Sequence, residues 1–89
     1  MINPNVVTSP KGRVQDLKVI YNSGEKTGAE NSWSLAEMKW DGTPAMGLRW
    51  NGPGIGTPHS RGIPTWFIVP EEVASIVVEM LKLSKKIKS

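Results

Sequence analysis

Residues 34–50 read SLAEMKWDGTPAMGLRW, from Ser34 to Trp50. Two alternating apolar runs meet at Asp41-Gly42, a dipeptide suited to the left-handed angles of a tight turn, so the stretch predicts a tryptophan-bearing β-hairpin. Register decides which side chains face out, because a slip of one residue turns each of them over. If Asp41-Gly42 alone is the turn, Trp33, Leu35, Met46, Leu48 and Trp50 share one face, with Ser34, Ala36, Met38, Trp40, Ala45, Gly47 and Arg49 opposite. If the loop is Asp41-Gly42-Thr43 with a bulge, Ala36, Met38, Trp40, Met46, Leu48 and Trp50 form the inner face, and Lys39, Ala45, Gly47 and Arg49 point out. The second register is preferred, because its inner face is purely apolar. Both place Arg49 beside the small residues Ala45 and Gly47, which predicts an arginine on a smooth outer surface.

Upstream of the hairpin, Val14, Leu17, Val19 and Tyr21 run into Asn22-Ser23-Gly24 and read as a first strand ended by a turn, and residues 25–32 read as a polar loop. Residues 1–13, with two prolines and little periodicity, are expected to be a flexible arm, leaving 14–89 as a single domain. After Trp50 comes NGPGIGTPHSRGIP, a loop dense in Gly and Pro that carries His59 and Arg61. Loops this long in small domains are usually functional or mobile. Residues 65–69, TWFIV, read as a fourth strand, and Pro70-Glu71-Glu72 as a helix start, with acids at the positive end of the helix dipole. Periodicity carries that helix to about Lys86. Its apolar residues spread over an arc of about 220°, twice the stripe that covering a sheet requires. The surplus predicts a homodimer interface built from Val73, Ile76, Val77, Met80 and Leu81. The expected fold class is α+β, a four-stranded antiparallel sheet followed by one C-terminal helix (ββββα), dimeric through that helix.

The chain has 89 residues, a formal charge of +3 and no cysteine. That length gives one domain burying roughly 60–65% of its unfolded surface, hence a thin stability margin. Without cysteine there is no disulfide, thiolate metal site or thiol nucleophile. No apolar run approaches the roughly 20 residues that span a bilayer, and the N-terminus lacks a signal-peptide core, so no membrane association and a cytoplasmic location are expected. A mild excess of basic charge permits nucleic acid without demonstrating it. Lys82, Lys85, Lys86 and Lys88 crowd the C-terminal end, where they complement a helix dipole.

Catalysis has thin support. The chain has one histidine, His59, and no HExxH, GxSxG or Walker-type spacing. His59-Ser60 is a weak nucleophile-base suggestion, and GPGIG lacks the Lys-Ser/Thr ending and following helix of a phosphate loop. No His, Asp and Glu cluster has metal-ligand spacing. No enzyme activity, cofactor or metal is expected.

The segment KWDGTPAMGLRW and the run RGI…FIVPEEVASIVVEML together resemble the PC4-like family of transcriptional-coactivator-type single-stranded DNA-binding domains and their small bacterial relatives. The likeness covers roughly residues 32–83, and the chain also looks like small proteins carried on bacterial mobile elements. The chain departs from the family pattern at Gly47, where the family has an acidic residue, and in the added GPGIGTPHS and PTW. The resemblance implies a dimer paired through its helices, with curved sheets that face single-stranded nucleic acid. A single strand needs stacking faces and backbone cations. The residues that fill those roles are Trp33 and Trp40 for stacking and Lys39, Arg49 and Arg61 for phosphate, with Lys18 and Lys26 as outlying charges. For each tryptophan core packing is the competing role, and Trp50 and Trp66 in particular are assigned to the core. Against this stands a protein- or small-ligand-interaction module on the same scaffold, and behind it an enzyme using His59.

Overall fold

The computed structural model describes residues 2–24 and 32–87. Residues 25–31, with Lys26 among them, lie outside it, as do Met1, Lys88 and Ser89. Four strands form one antiparallel sheet in the order β1 (Val14–Asn22), β2 (Trp33–Trp40), β3 (Thr43–Trp50), β6 (Phe67–Val69), and α1 (Glu71–Leu83) follows. Two short strands, β4 (His59–Ser60) and β5 (Ile63–Pro64), make a separate hairpin within the Gly/Pro-rich segment. The four-stranded sheet and C-terminal helix expected from the sequence are the observed architecture.

The preferred hairpin register is not. Trp40 pairs with Thr43 and Met38 with Ala45, so Asp41 and Gly42 alone make the turn, with φ of 51° and 83°. Positive φ at both central residues is the primed turn that matches strand twist, and it needs no bulge. The apolar-face criterion failed because Glu37 and Lys39 share a face with Leu35 only near the turn, where both stay exposed and pair across to β1. Bulges do occur in β1, where Asp16 adopts a φ of 54° and the register shifts between Gln15 and Lys18. That shift brings Val14, Leu17 and Val19 onto one face despite their uneven spacing.

One face of the sheet is closed by the N-terminal segment. Val7, 1% exposed, packs with Val14, Ala36, Met38 and Trp66 into the main core cluster. Pro4, in a short 3-10 turn (Pro4–Val6), is also buried. The Trp66 indole N–H donates to the Val7 carbonyl at 2.7 Å, and the Ile2 amide donates to the Asn51 carbonyl at 2.8 Å. The segment expected to be a loose arm is thus part of the core. Its short turn carries no periodicity, and so has no local signature in the sequence. Trp66 crosses directly over Gly47, where an added Cβ would stand 3.0 Å from both the Trp66 Cβ and the Met38 methyl. Gly47 and Trp66 are one packing solution, the missing side chain making room for the ring.

The other face carries α1, which packs against β3. Leu35 of β2 and Leu81 of α1 are completely buried, Ala74 nearly so, and Val77 and Val78 half-buried, which gives the i, i+3, i+4, i+7 row of a sheet-facing helix. The helix stops at Leu83 rather than near Lys86: Lys85 takes a φ of 59° and the Lys86 amide donates back to the Leu81 carbonyl, a left-handed terminator of the Schellman kind.

Candidate functional site

Strand alternation places Trp33, Leu35, Glu37 and Lys39 of β2, Pro44, Met46, Leu48 and Trp50 of β3, and Phe67 and Val69 of β6 on the helix side of the sheet. A helix of 13 residues is only about 20 Å long, so it cannot cover all of them. Toward the hairpin turn it leaves a groove of about 950 Å³ floored by residues such as Met46, Val69, Ala74 and Val78 and rimmed by Asp16, Glu37, Lys39, Glu71, Glu79 and Lys82. On its strand side the charges are paired: Lys39 lies 3.7 Å from Asp16 and Lys18 4.0 Å from Glu37, all substantially exposed.

Toward the far strand ends the same face opens into a cleft of about 540 Å³ lined by Trp33, Leu48, Arg49, Trp50, Thr57, Pro58 and Phe67. Trp33 stands directly opposite Trp50, and Leu48 opposite Phe67. Trp50 is 51% exposed and Phe67 60%, and neither is a core residue. Tyr21 backs Trp33 with ring centroids 5.0 Å apart at 55°. The far wall, Thr57-Pro58, is held by a two-bond backbone bridge between Thr57 and Trp50, at 2.7 and 3.0 Å. Gly56 permits that return with a φ of 72°, since a Cβ there would meet the Trp50 carbonyl oxygen at 1.9 Å.

Below the cleft, buried polar groups tie the chain together. Arg49 occupies the face opposite Trp50, as the sequence indicated, but that face is covered and Arg49 is only 3% exposed. Its guanidinium donates through Nη1 to the Thr65 carbonyl at 2.6 Å and through Nη2 to the Ile55 carbonyl, while Nε is unpartnered. Burial lowers its pKa from the usual guanidinium value by desolvation. The fully buried Asn51 donates from Nδ2 to the hydroxyls of Ser34 at 2.8 Å and Ser32 at 3.0 Å. This network pins the start of the Gly/Pro-rich segment to the strand ends.

The residues expected to contact nucleic acid are therefore dispersed. Trp33 lies in the cleft. Arg61 is exposed at the turn of the β4–β5 hairpin, with φ of 52° and Gly62 beside it at 80°, and this hairpin is rooted at the cleft wall by a Thr65 N–H bond to the Pro58 carbonyl. Lys39 is on the cleft's face but at the opposite end of the strands. Trp40 belongs to the covered face, half-buried against the core, with the Arg13 guanidinium 5.9 Å from its ring centroid. Arg49 is not a surface cation. Of the expected dimer residues, Leu81 is inside the protomer and Val77 half-buried, while Val73, Ile76 and Met80 are exposed and join Leu83 in a stripe along one flank of α1. The polar flank, with Ser75, Glu79 and Lys82, faces the charged groove. His59 and Ser60 are both exposed in β4.

Trp50 and Phe67 were missed by sequence reasoning. The two-residue-turn register would have found Trp50, because it sets Trp33, Leu48 and Trp50 on one face. Among the described residues, no group of three or more His, Cys, Asp or Glu could hold a metal ion, and no helix is long and apolar enough to cross a membrane. Fold and site together define a small ββββα protein with an open aromatic cleft at one end of its sheet. Compared with protein-family models, curated proteins and solved structures, the chain has no match.

Proposed function

We propose that the chain is a non-catalytic binding module for single-stranded nucleic acid, with bases stacking in the Trp33/Trp50/Phe67 cleft. The observation that carries this reading is the exposure of Trp50 and Phe67 beside Trp33 on an otherwise well-packed sheet. Aromatic faces that none of the described residues covers are what unstacked bases use, at about 1–3 kcal/mol per base. Arg61, at the tip of the hairpin that rises from the cleft wall, supplies a cation for the backbone. The exposed ion pair of Lys39 with Asp16 is weak enough for phosphate to compete for the lysine. The apolar stripe Val73, Ile76, Met80 and Leu83 is the surface on which a second copy pairs, giving a homodimer.

The test is a fluorescence-anisotropy titration of a labelled mixed-sequence single strand at low and moderate salt. The expected result is salt-sensitive binding that weakens about 5- to 150-fold in Trp50→Ala. Absence of binding at low salt overturns the reading. Partner capture that is indifferent to salt would instead favour a protein ligand for the same cleft.

A further inference from the structure

Arg49 is unusual in being a buried cation with only carbonyl oxygens for partners. Among the described residues no carboxylate forms an ion pair with it; the pairs present are Arg13–Asp41, Lys18–Glu37 and Lys39–Asp16. Removing a guanidinium from water without a counter-charge is costly, and an apolar side chain would fill the same space more cheaply. The arrangement of its two acceptors shows what the charge accomplishes. Ile55 lies two residues before Thr57, the start of one cleft wall, and Thr65 lies two residues before Phe67, the other wall. The chain leaves β3 at Asn51 and returns to β6 after Thr65, and the Arg49 fork ties the first bend of that excursion, at Ile55, to its returning end at Thr65. A guanidinium presents separated donors in a rigid plane and so holds two carbonyls in set directions at once, whereas an ammonium's three donors radiate from one freely rotating nitrogen.

We infer that Arg49 is the positioning residue of the aromatic cleft: it sets the separation of the Thr57-Pro58 wall from Phe67, and it touches no phosphate itself. This rests on the reading of the cleft as the nucleic-acid site. The residue whose type and position most suggested a phosphate contact acts one layer beneath the ligand, and Arg61 on the excursion's surface makes the ionic contact.

The test compares wild type, Arg49→Lys, Arg49→Gln and Arg61→Ala in the same single-strand titration across a salt series. Arg49→Lys keeps the charge and is expected to lose at least 10-fold in affinity with an unchanged slope of log K against log salt. Arg61→Ala is expected to reduce that slope by about one. An unchanged affinity in Arg49→Lys, or a slope reduced by about one in the uncharged Arg49→Gln, overturns the inference. If wild type binds no strand, the functional reading fails on its own and the clamp is read from the free protein. The indole N–H resonances of Trp33 and Trp50 should then shift or broaden in Arg49→Lys while that of Trp40, at the other end of the sheet, stays put. Equal movement of all indoles, or none, counts against positioning. Should Arg49→Lys not fold, wild type still decides: the Arg49 guanidinium protons should remain slow to exchange and unshifted on adding strand, and a shift comparable to that of Arg61 overturns the inference.

Discussion

Trp66 and Trp50 stand on opposite sides of the same sheet, one 4% and the other 51% exposed. Both sit in short apolar patterns that assign them to the core. Trp66 is covered because the N-terminal segment crosses its face, Val7 accepts its indole N–H, and Gly47 lets the ring lie against the backbone of β3. Trp50 is open because α1 is short and packs over the middle of its own face, while the excursion that begins at Asn51 turns back beside the indole as a wall. A tryptophan's role in a small sheet thus depends less on its strand than on which remote segment reaches it.

Four substitutions probe that contrast. Trp66→Ala should cost the most, about 3–5 kcal/mol in urea unfolding, through the lost packing and the cavity left behind. For an 89-residue domain that approaches the whole stability. Loss of less than about 1 kcal/mol would mean that the N-terminal segment does not seal this face. Next comes Gly47→Val, expected to destabilise by about 1–3 kcal/mol as the new methyls meet Trp66 and Met38. A neutral result would refute the close approach. Trp50→Ala should change stability by under about 1 kcal/mol while weakening single-strand binding, so the two assays should diverge; a large fall in melting temperature would return Trp50 to the core. The smallest effect, within about 0.5 kcal/mol, is expected for Lys39→Ala, whose pair with Asp16 is exposed. A larger one would show the charged groove to be structurally tighter than its exposure indicates.

Much of the fold was legible. A hairpin at Asp41-Gly42, the strands that flank it and the acidic first turn of α1 follow from local rules, as does an apolar strand before Pro70, which forms over Phe67–Val69 rather than 65–69. The hairpin register went wrong for a reason that is itself physical. An apolar inner face was required along the full strand, whereas the helix covers only part of it and tolerates Glu37 and Lys39 at the turn end, where salt bridges and water serve them. The candidate site was legible only in fragments. Trp33 and Arg61 could be named, but Phe67 reads as an ordinary strand residue, and Pro58 as loop punctuation.

Alternation, turn chemistry and helix periodicity act over a few residues, so the amino-acid sequence by itself determined the order of the four sheet strands and the helix, the site of the hairpin turn and a helix more apolar than one sheet face needs. The fate of each exposed or buried side chain was decided by contacts between distant segments: Val7 on Trp66, Arg49 on the carbonyls of Ile55 and Thr65, and Thr57 beside Trp50. Those contacts have no local signature, because a carbonyl acceptor is present at every residue and only the assembled fold selects which one a buried guanidinium or indole will find.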